Sequence, residues 1–175
     1  MSRPLEIERV WILDGFPEIP VDAERWRIRQ GYLAEPHVDD EPNDDPEVVP
    51  SVGRIRSIEH IDGSLRFVHT IKNGFGLVRR EVERPLSAGA FEAAWQQTAG
   101  RRLTKTRWRV QEGPHTWEID RFEHIDLVLL ELELADEEDT FDFPEWLAAR
   151  IVREVTEDPE YRNVAIDARR GLLKD

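Results

Sequence analysis

Residues 103–134 read LTKTRWRVQEGPHTWEIDRFEHIDLVLLELEL, and their alternation decides the fold class. In a strand, side chains at i and i+2 share a face. Lys105, Arg107 and Arg109 therefore stand together over residues 103–110. Gly113-Pro114 breaks the run, and Glu118 pairs with Asp120 over 115–123. Glu131 and Glu133 share a face over 127–134. The opposite faces carry Trp108, then Trp117 and Ile119, then Leu130, Leu132 and Leu134.

The same two-residue period extends to the N-terminus. Residues 5–13, 27–33, 52–60, 64–72 and 75–84 are further strand candidates. Asp62-Gly63 and Asn73-Gly74 are hairpin signals between the later ones. With the runs at 103–110, 115–123 and 127–134, this predicts eight strands at mostly hairpin spacing. Helical signals are fewer. Ser87 caps a helix running to about Thr98, with Gly100 as its stop. A helix is predicted over 144–154, a shorter one over 158–168, and one or two turns within 17–26. The expected architecture is mainly antiparallel β with a few covering helices, as one domain over residues 1–175.

An ordinary half-buried sheet also shows charges to water and apolar groups to a core. For any single strand that is the simpler account. Two features favour another. The polar faces are almost wholly ionised on seven strands, and charge sign is sorted by strand: Glu6 with Glu8, Arg54 with Arg56, Lys105 with Arg107, Glu118 with Asp120, Glu131 with Glu133. Like charges side by side repel unless something neutralises them. Carboxylate pairs call for a divalent cation, and Lys/Arg pairs call for phosphate. Closing the sheet with this face inward makes a charged tunnel, its apolar outside covered by the helices. An anionic polyphosphate suits that lumen better than a sugar or an aromatic compound.

Composition narrows the classes further. The chain has 175 residues, a formal charge of −13 and no cysteine, so disulfides and thiolate metal sites are excluded. The longest apolar run, Leu127–Leu130, is too short to span a membrane, and the first residues carry Glu6 and Glu8 before any apolar run. A cytoplasmic protein is expected. Residues 35–50 and 136–145 together hold thirteen acids and no Lys or Arg, matching the whole net charge. Both read as solvated, acidic loops, the first Pro-rich. No general nucleic-acid surface is expected at this charge. The five histidines are isolated, Gly74-Phe75-Gly76 lacks the rest of a phosphate-loop pattern, and no nucleophile elbow is present. Trp26, Trp95, Trp108, Trp117 and Trp146 read as packing residues.

Taken in order, these segments resemble the CYTH family of triphosphate tunnel proteins. The carriers are Glu6-Ile7-Glu8-Arg9, Gln30-Gly31-Tyr32-Leu33, Arg54-Ile55-Arg56, Thr70-Ile71-Lys72, Leu77-Val78-Arg79 with Glu81-Val82-Glu83, Leu103 to Arg107, Trp117 to Asp120 and Leu130 to Glu133. Phe143 to Leu147, Glu154 to Asp158 and Tyr161-Arg162-Asn163 resemble C-terminal motifs of its bacterial members.

The resemblance implies an eight-stranded closed barrel and metal-dependent hydrolysis of a triphosphate, most readily inorganic triphosphate. It implies Mg²⁺ or Mn²⁺ on Glu6, Glu8, Glu131 and Glu133. Arg54, Arg56, Lys72, Arg79, Lys105 and Arg107 would clamp phosphate. Tyr32, Glu81 and Glu83 would serve catalysis, with Glu118 and Asp120 in support. The family's first motif ends in a Lys that pairs with a Tyr to activate water, and here that position is Val10. Arg9 points to the other face. A non-catalytic polyphosphate or nucleoside-triphosphate binder is therefore the alternative, and an adenylyl cyclase a third. Assembly is left open, a homodimer being one outcome.

Overall fold

Each alternating run forms a strand. The structure, a computed structural model, describes residues 5–74 and 77–163. The strands are β1 (Leu5–Leu13), β2 (Glu24–Tyr32), β3 (Arg54–His60), β4 (Leu65–Asn73), β5 (Val78–Leu86), β6 (Arg102–Glu112), β7 (His115–Phe122), β8 (Val128–Leu134) and β9 (Ile151–Glu154). Their order is β5-β4-β3-β2-β6-β7-β8-β1-β9, and β5 also pairs with β1. That last pairing closes an eight-stranded antiparallel barrel, as expected. Closure gives each of β1 to β8 a neighbour on both sides. Among the described residues no helix is long and apolar enough to cross a membrane.

The apolar faces point outward and are covered. Helix α1 (Ala88–Gln96) is capped by Ser87, whose Oγ accepts from the Ala90 N–H at 3.1 Å. Its Phe91, Ala94 and Trp95 pack on Leu33, Ile55 and Leu86. Gly31 on β2 is required there, because a Cβ would stand 2.7 Å from Thr98 Oγ1. On the far side, Trp11, Trp117, Ile119, Leu130 and Leu132 are covered by Phe141, Phe143 and Leu147.

Four expectations are corrected. The helix predicted over 144–154 stops early: α2 spans only Glu145–Ala148, and Ile151–Glu154 is strand β9. The reason is the β1 edge. β5 pairs with β1 only from Leu5 to Ile7, so the backbone from Val10 onward needs another partner, and β9 supplies it over Trp11 to Leu13. Residues 17–26 hold no helix, because β2 begins at Glu24. The helix predicted over 158–168 does not begin at 158: a 3-10 turn occupies Pro159–Tyr161, Asn163 is helical, and residues 164–168 lie outside the described residues. So do Phe75 and Gly76 of the 75–84 run.

Finally, the acidic segments are not simply solvated. Asp44 and Glu41 pair with Arg84 and Arg80 on the outer face of β5, and Glu47 accepts from Ser87 Oγ at 2.9 Å. In the second segment Phe141 and Phe143 sit edge-on to Trp11 at 5.6 and 5.2 Å.

Candidate active site

Register explains how the barrel tolerates sorted charges. Glu6 on β1 faces Arg79 on β5, Lys72 on β4 faces Glu81, and Arg107 on β6 faces Asp120 on β7. At these three places a cation on one strand stands beside a carboxylate on the next. Lys72 Nζ lies 2.7 Å from Glu6 and 2.6 Å from Glu81, and Arg79 lies 2.6 Å from Glu8. Arg56 bonds Glu83, and Arg54 reaches Glu81 at 4.0 Å.

These side chains surround one cavity of about 760 Å³. Tyr32, Glu81, Glu83, the six predicted phosphate cations, Glu6, Glu8, Glu131, Glu133 and Glu118 all line it. Asp120 shares the inward face of β7 with Glu118 but is wholly buried, and it holds Lys105 at 2.5 Å and Arg107 at 2.6 Å. Arg107 also bonds Glu118 and Glu131. Among the described residues, nine acidic and nine basic side chains line the cavity. A single bound divalent cation would tip that balance toward anion binding.

The lumen is not charged throughout. Ile28, Ile58 and Val68 form one apolar patch with Trp26. Leu103, Phe122 and Leu129 form another, against which Val10, Ile12 and Tyr32 pack. Trp26 is therefore a lining residue as well as a packing one, with Arg66 and Arg109 at 5.0 and 4.5 Å from its ring. Val10 stands in the lumen, as its strand face dictates. Arg9 is outside, bonded to Glu154 at 2.6 Å.

Like charges remain directly opposed at two places. Glu8 faces Glu133 across β1 and β8, and Glu118 faces Glu131 across β7 and β8. Burial pushes Glu131 up to about 7, with Glu8 and Asp120 adding to it against Arg107 and Lys105. Burial likewise raises Glu6 to about 7, helped by Glu8 and Glu81 and opposed by Lys72. Glu133 is raised by burial and by Glu118 and Glu8. Burial would raise Glu8 and Glu81 too, but Lys72 and Arg79 hold the first, and Lys72 and Arg54 the second, below the usual carboxylate range.

Among the described residues no three such side chains stand together as a ready cage. The donor set nevertheless fits a hard cation. It is all oxygen, and the opposed pairs gain from one.

Some lining residues escaped the sequence reading. Arg66 shares the β4 face of Thr70 and Lys72, so strand parity alone could have found it. Arg101 lines the cavity from outside regular strands, where no periodicity marks it, and Thr156, Asp158 and Arg162, quoted from sequence only as parts of the C-terminal motifs, line it too.

A closed antiparallel barrel with ion pairs inside and its apolar face outside defines a β-tunnel protein, CYTH-like in fold. No family model matches the chain. An inorganic triphosphatase of Nitrosomonas europaea is 34% identical over 167 residues, 92% of this chain and 95% of that protein. One from Acetivibrio thermocellus is 35% identical over 91 residues, 50% of this chain and 56% of that protein. A solved structure of an inorganic triphosphatase aligns with TM-score 0.55 at 28% identity, over 95% of both chains. The chain belongs to the inorganic triphosphatase family.

Proposed function

We propose that this chain hydrolyses inorganic triphosphate inside its tunnel, in the cytoplasm and with Mg²⁺ or Mn²⁺. The supporting observation is the convergence of Arg54, Arg56, Lys72, Arg79, Lys105 and Arg107 on one cavity together with the carboxylates of Glu6, Glu8, Glu131 and Glu133. Phosphoryl transfer needs positioning and charge neutralisation more than covalent chemistry. In this reading the six cations bind the phosphate oxygens, while Asp120 and Glu118 fix Lys105, Arg107 and Arg109 in place. Glu6, Glu8, Glu131 and Glu133 hold the cation, whose chemistry is to neutralise phosphate charge. Glu81 stays ionised beside Lys72, so it orients water and is a weak proton acceptor. Glu83 lies next to it on the same face, bonded to Arg56.

Val10 favours a second reading, a tunnel that binds triphosphate without turnover. Phosphate release from triphosphate separates the two. Under the first, the purified protein releases phosphate with Mg²⁺ or Mn²⁺, a chelator stops it, and Glu8→Ala and Arg56→Ala each lose about 100-fold or more. Under the second, triphosphate binds but survives, and Val10→Lys switches hydrolysis on. Absence of binding overturns both.

A further inference from the structure

Glu6 grips two of the six cations assigned to phosphate. Its Oε1 and Oε2 accept from Lys72 Nζ at 2.9 and 2.7 Å, and Arg79 Nη2 lies 3.3 Å from the same carboxylate. Glu8, next on that strand face, accepts from Arg79 Nη2 at 2.6 Å. Each of these four side chains is at most 25% exposed, so water and salt screen the pairs little. A carboxylate and a phosphate oxygen seek the same charged N–H donors. In the metal-free chain Glu6 and Glu8 therefore hold donors that an anionic ligand needs. Arg79 is not fully satisfied by them: its Nε is buried with no hydrogen-bond partner among the described residues. Glu133 differs from both acids. It lines the same lumen directly opposite Glu8, yet it forms no ion pair among the described residues. Its strongest charged neighbours are the carboxylates of Glu118 and Glu8.

We propose that Glu6, with Glu8 beside it, makes the tunnel select triphosphate together with a divalent cation and reject the metal-free anion. Until those carboxylates turn to a cation they occupy Lys72 and Arg79; once they do, both cations are released to the phosphate oxygens. The inference rests on the triphosphate reading and deepens it by naming the form of the substrate that enters.

The test is calorimetry of inorganic triphosphate on the full chain, first in a chelator and then with Mg²⁺. Wild type binds at least about tenfold more weakly in the chelator than with Mg²⁺. Glu6→Gln keeps the shape and loosens both cations, so its metal-free binding is about tenfold tighter than that of wild type. Glu8→Gln loosens Arg79 and gains as well. Glu133→Gln removes the same charge from the position opposite Glu8 without freeing a cation, so its gain is much smaller. Equal gains in Glu133→Gln and the other two overturn the proposal, because the charge of the lumen alone would then explain them. No gain in Glu6→Gln overturns it too, as does a wild type that binds equally well with and without Mg²⁺. If Glu6→Gln does not fold, Glu8→Gln against Glu133→Gln makes the same decision. If wild type binds no triphosphate even with Mg²⁺, the functional reading falls, while the metal-free comparison of the variants still decides whether Glu6 and Glu8 withhold Lys72 and Arg79 from anions.

Discussion

Arg107 grips Asp120 through both Nε and Nη2, at 2.6 and 2.7 Å, and no part of that carboxylate reaches solvent. The same carboxylate holds the buried Lys105 ammonium. Two cations of the lumen are thus fixed by one anion packed beneath them. Asp120→Asn keeps the shape and removes the charge, leaving both cations short of a partner. Removing one partner of a buried ion pair typically costs about 3–5 kcal/mol. Urea unfolding at neutral pH is expected to show a loss of that size, with a smaller one for the more exposed Glu118→Gln. The sign with pH follows. Burial opposes it, but Arg107 and Lys105 hold Asp120 below its ordinary 3.8. Its contribution is complete above that value and disappears as pH falls through the lower folded one.

Glu6 and Glu131 behave in the opposite sense. Their folded values of about 7 lie above the ordinary 4.5. Between those two pH values the folded metal-free chain keeps protons that the unfolded chain has released. Stability then falls as pH rises through the window. Thermal unfolding in a chelator should show a declining Tm from pH 4.5 to 7. A cation bound by these carboxylates must displace their protons. Calorimetry below pH 7 in buffers of different ionisation heat should therefore show proton release on adding Mg²⁺ or Mn²⁺. Binding without proton release would remove Glu6 and Glu131 from the ligand set.

Strand parity carried most of this arrangement. Once Glu8, Arg56, Lys105 and Glu133 are put on inward faces, the closed barrel is the arrangement that neutralises them, and the cavity contains all four. What parity could not supply was the seam. β9 pairs because β1 runs past β5, a fact of barrel stagger that the sequence of residues 151–154 does not announce. The acidic strap escaped for a similar reason. Seven carboxylates among prolines look solvated until Arg80 and Arg84 appear on the facing strand.

That strap provides a contrast with Asp120. Glu41 and Asp44 are about half and four-fifths exposed in their pairs with Arg80 and Arg84. Exposed pairs contribute about 0–1 kcal/mol and are screened by salt. Glu41→Gln with Asp44→Asn should therefore barely move the unfolding midpoint at physiological salt, and any effect should vanish in molar salt. A large, salt-resistant loss would mean that the strap holds the barrel by something other than these pairs.

The seam makes the sharpest structural prediction. The Val10 N–H has no strand opposite it and donates instead to Thr156 Oγ1 at 3.0 Å, while the Val10 carbonyl accepts from the Val155 N–H at 2.8 Å. The next residue, Glu157, accepts from the Leu77 N–H at 3.0 Å, so residues 155–157 bridge the gap between β1 and β5. Thr156→Val keeps the branched shape and removes the acceptor. Loss of a hydrogen bond to this part-buried amide costs about 1 kcal/mol. The loss should appear locally first, as faster hydrogen exchange at the Val10 amide than at Ile28 in the middle of β2. Thr156→Ser retains the oxygen and should restore protection at Val10. Equal acceleration at both amides would mean that Thr156 supports the whole barrel, and unchanged exchange at Val10 would mean that water replaces the hydroxyl without cost.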